Sequence, residues 1–303
     1  MKSFYQALLM VLFFLCINIP TQGQEDDRDY KRKEIESWRR QIDSSHINYW
    51  GTNYLLVGKQ EILDIFNKQP YFGMYKDNYF ITGIPLNRKV THKTADAKFQ
   101  ISFRHRLTNT ILPFNSFLVL AYTQVSFWDI YDESSPFADN NYNPSLLLAK
   151  PIIIHDELRG LVSISIEHES NGKAGEDSRS WNFISLYGVH SFAKHFYVQL
   201  RVWYGNLASE NKDLFKYRGY GILTLNYWSP REKFWCSLEI NPCKSFSSIN
   251  TQLQLNYKWV LTANQYLFLQ WYNGFGEELL DYKKYTSMVR IGICLRPVLR
   301  SLY

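Results

Sequence analysis

Beyond residue 23 the chain has no apolar run approaching the ~20 residues that a membrane-spanning helix needs, and its mean hydropathy is −0.31. A helical membrane protein is excluded. Cysteine is scarce: of four, Cys16 lies in the first 23 residues, leaving Cys236, Cys243 and Cys294. An odd number excludes a full disulfide framework, although a Cys236–Cys243 bridge stays open for a secreted chain. Their spacing suits neither zinc ligation nor a redox motif. The formal net charge of +6 is modest, and no basic stripe interleaves with stacking aromatics, so no nucleic-acid partner is expected. No repeat of fixed period is present, which argues for one domain after the N-terminal segments.

What the chain has in abundance is aromatic residues, 17% of the sequence with 22 Tyr, 20 Phe and 9 Trp. Tyr and Trp suit a membrane interface, where one end of the ring is apolar and the other wet. Composition alone leaves an outer-membrane barrel and a secreted soluble β-sandwich or barrel both open. Residues 1–23 have the form of a secretory signal peptide: Lys2, an apolar run from Ala7 to Ile17, and small residues at Thr21-Gln22-Gly23. A membrane anchor would need a longer run, and Leu15 fits poorly before a lipid-modified Cys16. Residues 24–48 form a charged segment of mixed sign, expected to be solvated and periplasmic, with a helical stretch around Ile35, Trp38 and Ile42.

From residue 49 to 303 the pattern is one of short alternating strands. Strands are expected at 53–58, 98–107, 116–128, 146–155, 160–168, 181–191, 195–204, 217–228, 233–240, 249–260, 266–275 and 286–295, with irregular connections at 73–94 and 129–144. Phe196, Val198 and Leu200 alternate with Tyr197, Gln199 and Arg201. Val289, Ile291, Ile293 and Leu295 share one parity, and the chain ends on an aromatic, Tyr303. Twelve strands of this length fit an all-β fold, a transmembrane antiparallel barrel of about 12 strands.

The chemistry concentrates in one hairpin. His168 and Ser170 are two apart and project from the same face of a strand. A turn centred near 175 sets His168 opposite Asn182, within ~5 Å across the pair. That gives a nucleophile (Ser170), a base (His168) and a residue to orient the base (Asn182). They share parity with Val162, Ile164, Ile166, Ile184 and Leu186. In a soluble protein this face is a core that no substrate reaches; in a membrane barrel it faces lipid. Glu167 and Glu169 take the other face. A glycosidase-like carboxylate pair is one reading of them, solvated lumen or rim carboxylates the plainer one. His155, His190 and His195 have no partner at useful spacing and are expected to be structural.

These residues carry a resemblance. His168-Glu-Ser170-Asn-Gly172 with Ser178-Arg-Ser-Trp-Asn182 is similar to the active-site signature of the outer-membrane phospholipase A family. Tyr122-Thr-Gln124-Val-Ser-Phe-Trp128, Ser134-Ser-Pro-Phe137, Asn141-Tyr-Asn-Pro144, Gly274-Phe-Gly-Glu277 and Asp281-Tyr282 resemble further blocks of it. The likeness implies calcium-dependent hydrolysis of phospholipid and lysophospholipid acyl esters in the bacterial outer membrane, by a homodimer. It implies Ser170 as nucleophile, His168 as base and Asn182 as the residue holding the imidazole. Backbone N–H groups of Ser170 and Gly172 would serve the oxyanion. For calcium it implies the Ser178 hydroxyl, the Lys173 carbonyl, and Ser134 from the partner subunit. Lysine stands at 173 where the family has arginine, which a backbone ligand tolerates. Gln124 matches an interfacial glutamine; without the resemblance, a lumen-facing or rim position explains it as well. Glu169 stands where aspartate is commoner and is expected to have little catalytic effect. A non-enzymatic channel would show solute permeability without acyl hydrolysis. A lipopolysaccharide acyl hydrolase would prefer lipid A to phospholipid.

Overall fold

A computed structural model describes residues 59–154, 157–193, 195–207, 211–229, 233–258 and 264–296. The expected signal peptide (1–23), charged segment (24–48) and first strand (53–58) lie outside the described residues. The chain enters as helix α1 (Lys59–Lys68) and then forms β1 (Phe72–Met74), β2 (Asn78–Pro85), β3 (Asp96–Arg106), β4 (Phe117–Trp128), β5 (Phe137–Ile154), β6 (Glu157–Ser170), β7 (Ser180–Ala193) and β8 (Phe196–Leu207). A short helix α2 (Leu214–Arg218) follows, then β9 (Gly221–Trp228), β10 (Phe234–Cys243), β11 (Ser248–Lys258), β12 (Gln265–Gly274) and β13 (Thr286–Leu295).

Strands β2 to β13 pair antiparallel in chain order, and β13 pairs with β2 to close the ring. The short β1 also pairs with β3. Between β1 and β2, residues 75–78 bulge out opposite Ile101 and Ser102. Ser102 absorbs the bulge: its carbonyl accepts from Tyr75 N–H at 3.4 Å and its hydroxyl from Lys76 N–H at 3.2 Å. β1 and β2 are thus one bulged strand, and the fold is a closed barrel of twelve antiparallel strands.

The strand number agrees with the sequence reading, but its first member does not. The stretch read as the connection 73–94 takes in all of β2 and all but the first residue of β1, and β5 begins at Phe137, inside the stretch read as loop 129–144. The second has a plain cause. At the polar end of the barrel a strand carries polar groups on its lumen face, here Asp139, Asn141 and Asn143, all buried. The apolar alternation that marks a strand in the bilayer is missing there. Residues 214–218, at the start of the strand expected from 217, are helical instead. Cys236, Cys243 and Cys294 are free thiols, so the open Cys236–Cys243 bridge is absent.

Alternation sorts the two faces. On β6, Ser163, Ser165, Glu167 and Glu169 are buried, whereas Val162, Ile164 and Ile166 are 37%, 49% and 65% exposed. Leu120, Leu146, Leu148, Ile184, Leu186, Leu200, Ile291 and Ile293 continue this outward apolar band. A continuous band of that kind is stable only against lipid. No helix among the described residues is long and apolar enough to cross a membrane; the strands do so. Loops 86–95, 129–136, 171–179 and 275–285 lie at one rim, the long-loop, external end, and the opposite rim is the periplasmic end.

The lumen is filled. At the periplasmic end Ile62 and Phe66 of α1 pack among Phe117, Val119, Leu147, Leu161, Val189 and Tyr197. The last turn of a helix leaves carbonyls without partners; buried Arg106 donates to Phe66 O, to Asn67 O at 2.8 Å and to Gln69 O at 2.9 Å. Further up, buried ion pairs fill the lumen: Arg290 to Asp96 (2.7 Å) and Glu277 (2.6 Å), Lys98 to Glu277 (3.1 Å), and Arg201 to Glu167 (2.6 Å). Glu167 and Glu169 are therefore buried and paired, not solvated. Their removal from water is compensated only because each meets a cation.

In the external loop 275–285, burial pushes the Glu278 carboxyl up to about 8, with Glu277, Asp139 and Asp281 adding repulsion and Lys284 opposing it. A carboxyl with a raised folded-state pKa stabilises most below its unfolded value and loses that contribution as pH rises through the folded one. Stability should therefore fall between about pH 4.5 and 8, and Glu278→Gln should flatten that slope. Loop proteolysis followed across this range checks it; equal slopes in both proteins would contradict it.

Candidate active site

Three rows of side chains cross the outer wall at the upper edge of the apolar band. The lowest runs Leu120, Leu146, Ile166 and Ile184. Above it, His168 pairs with Asn182. Above that, Gln124 faces Tyr142, Tyr142 faces Ser170, and Ser170 faces Ser180. His168, Ser170 and Asn182 thus lie together on the outward face, in the register set by a turn centred at 175. The upper rows continue a lipid-facing wall into its polar rim, where a phospholipid keeps its ester groups.

His168 Nδ1 and Asn182 Oδ1 are 2.8 Å apart. An amide oxygen can only accept, so Nδ1 carries the proton and Nε2 is left as an acceptor. Ser170 Oγ has no hydrogen bond among the described residues, to the ring or elsewhere. Both side chains are half-buried, and such contacts commonly tighten only around substrate.

The strand beside His168 shows how the base is held. Pro144 lies opposite His168 in the β5–β6 pairing and has no N–H to give. Asn143 Nδ2 donates to the His168 carbonyl instead, at 3.0 Å. The loop after Ser170 is sewn by Asn171, which is buried. Its Nδ2 donates to Asp177 O (2.8 Å), and its Oδ1 accepts from Arg179 N–H (2.9 Å) and Lys173 N–H (3.3 Å). Asn171 N–H turns back to Arg179 O at 2.9 Å. Gly172 N–H donates to nothing among the described residues and is the free donor beside Ser170. Gly172 sits at φ +67°, and a Cβ there would come within 2.9 Å of the Tyr142 ring. Glycine is required both by backbone conformation and by space.

The same loop holds oxygens suited to a hard cation. The Lys173 carbonyl and the Ser178 hydroxyl make no hydrogen bond among the described residues, and Lys173 Nζ is drawn away to Ala138 O at 2.8 Å. A carbonyl and a hydroxyl are hard oxygen donors, the kind that calcium takes and that a transition metal does not favour. Ser134 is on a separate loop, exposed, and not joined to Lys173 or Ser178 within this chain. Gln124 is on the outward row with Leu118, Leu120 and Tyr122, not in the lumen. Its Oε1 accepts from Tyr122 Oη at 3.2 Å and its Nε2 donates to Ser126 Oγ at 3.0 Å.

Sequence reasoning gave no role to Tyr142, Asn143 or Asn171. The polar alternation of Asn141, Asn143 and Ser145 around Pro144 was the available signal for Asn143. Tyr142 and Asn171 carry none that separates them from rim residues.

A closed antiparallel barrel with a serine, a histidine and an asparagine on its outer wall defines an outer-membrane β-barrel hydrolase. The Phospholipase A1 family model matches residues 40–295, and the chain belongs to that family of outer-membrane phospholipases. Phospholipase A1 of Escherichia coli K12 is 32% identical over 211 residues, which is 67% of this chain and 70% of that protein. A Neisseria meningitidis relative is 28% identical over 213 residues, but the match spans only 54% of that relative's length and 66% of this chain. Outer membrane phospholipase A from E. coli superposes with a TM-score of 0.68 at 26% identity, covering 78% of this chain and 97% of that one. The Salmonella typhi outer membrane phospholipase dimer with bound calcium gives 0.68 at 27% identity, covering 78% and 96%.

Proposed function

We propose that this chain hydrolyses acyl ester bonds of phospholipids and lysophospholipids in the outer membrane, with Ser170, His168 and Asn182 as its reacting set. The observation carrying this is the His168–Asn182 hydrogen bond on a lipid-facing wall, with Ser170 beside it. Asn182 holds Nδ1–H, so Nε2 takes the Ser170 proton while Oγ attacks the ester carbonyl. The oxyanion finds Gly172 N–H. Collapse expels the lysophospholipid alkoxide, protonated from His168, and leaves an acyl-serine. Water activated by the same Nε2 then releases the fatty acid. Asn182 aligns the ring without lending it negative charge. When bound to the Lys173 carbonyl, the Ser178 hydroxyl and Ser134 of a second copy, calcium would add positive charge against the oxyanion.

The row Leu118, Leu120, Tyr122 and Gln124 is the face we assign to the dimer. In a single chain its amide is served by neighbours; across a two-fold axis it could meet its own copy, which a lipid-facing polar group favours. The Salmonella typhi structure, a calcium-bound dimer, supports both parts of this reading.

Fatty acid release by the purified protein from phospholipid–detergent micelles, with lipid A in parallel, tests the substrate class. Hydrolysis of lipid A alone would move the assignment to lipopolysaccharide. Within this scheme Asn182→Ala should lower kcat about tenfold, the worth of one orienting hydrogen bond, with KM nearly unchanged. A change confined to KM would remove Asn182 from the reaction.

A further inference from the structure

The triad has one internal hydrogen bond, and lipid on the outer face offers it no others. What keeps three side chains aligned on such a wall has to act from the lumen. Glu169 lies between His168 and Ser170 in β6, so its side chain leaves from the inner face directly behind them. It is 8% exposed. Its Oε2 accepts from Trp181 Nε1 at 2.8 Å, and its two oxygens accept from Arg218 Nη2 at 2.8 and 2.9 Å. Trp181 is the cross-strand partner of Glu169 and the residue preceding Asn182; its ring stacks on Phe183 at 3.9 Å.

Arg218 is itself fixed from three sides. Its Nη1 donates to Gly276 O at 3.0 Å, and its carbonyl accepts from Asn241 Nδ2 at 3.0 Å. Gly276, at φ +70°, lies so close that a Cβ would reach Arg218 Cδ at 2.9 Å. The charge behind the triad is therefore tied to α2, to β10 and to the external loop 275–285. A buried carboxylate held by a guanidinium and an indole is a rigid, directional contact.

We infer that Glu169 is a positioning residue: its carboxylate, clamped by Arg218 and Trp181 in the lumen, fixes the β6–β7 segment that aims His168, Ser170 and Asn182 outward. The inference rests on the proposed triad, and gives position 169 a part the sequence reading had not given it. Glu169→Gln keeps the size and removes the charge. It should reduce kcat per folded barrel about 10²-fold, the cost of a misplacement near 1 Å, with KM within about twofold. Glu169→Gln with Arg218→Met, which leaves no buried unpaired charge, should lose no more than the greater single loss, because the two residues act as one unit. Folded barrel is counted by its heat-modifiable migration. If Glu169→Gln does not fold, Trp181→Phe, which removes the indole N–H, decides by the same kcat readout, with a smaller fall expected. Wild-type kcat per folded barrel, a loss only in KM or folded yield, or a double-variant loss equal to the product of the singles would each overturn the inference. Ser170→Ala run alongside separates the outcomes. An active Ser170→Ala removes the triad itself, while an inactive one beside a fully active Glu169→Gln removes only the clamp.

Discussion

Ser170→Ala should abolish phospholipid hydrolysis, lowering kcat about 10³-fold or more, because a hydrolase set that acts as a unit loses nearly all its advantage with its nucleophile. The barrel should be untouched. Ser170 Oγ takes part in no hydrogen bond among the described residues, its side chain is half-buried at the strand end, and alanine fits the same backbone. The expected result is a protein of normal heat-modifiable migration that releases no fatty acid. A sulfonyl fluoride should label Ser170 in the wild type, since its hydroxyl, giving its proton to His168, is the group that attacks. Labelling should vanish in Ser170→Ala and weaken strongly in His168→Ala. Undiminished hydrolysis by Ser170→Ala would falsify the assignment, whatever the fold.

Much of this site was legible in the sequence because it is local. A two-residue spacing and a tight turn set the His168, Ser170 and Asn182 register, and strand parity alone put Ile164 and Ile166 beside them on the outer wall. The same parity sent Glu167 and Glu169 inward. Their partners were not legible. Arg201 and Arg218 reach them from β8, two strands away, and from α2 in the connection that follows it, and no spacing along the chain says which side chains meet inside the barrel. Nor was β2 legible as a strand: Thr82, Gly83 and Pro85 in Asn78–Pro85 look like turn residues until closure against β13 is known. The filled periplasmic end depended likewise on α1 folding back among residues from five strands, through Arg106 and the carbonyls of its last turn.

Calcium removal should have the second large effect. A chelator should lower hydrolysis by about 10²–10³-fold, the range for losing a major stabiliser of an oxyanion, and added calcium should restore it. Half-restoration is expected at roughly 10⁻⁴–10⁻³ M, as for calcium sites on external proteins. The reason lies in the donor set. One chain offers the Lys173 carbonyl and the Ser178 hydroxyl, both neutral, whereas calcium takes about 6–8 oxygens. Two neutral donors and water make a weak site, and Ser134, exposed on its own loop, is free to complete the site of a second copy. Calcium binding and dimerisation are then linked, each strengthening the other by the same factor. Chemical cross-linking should show the dimer fraction rising with calcium in the wild type, less in Ser134→Ala and Ser178→Ala, and as in the wild type in Lys173→Arg, which keeps the carbonyl. Chelator-resistant hydrolysis would remove calcium from the reaction. A dimer fraction indifferent to calcium would leave a site built by one chain, with Ser134 outside it.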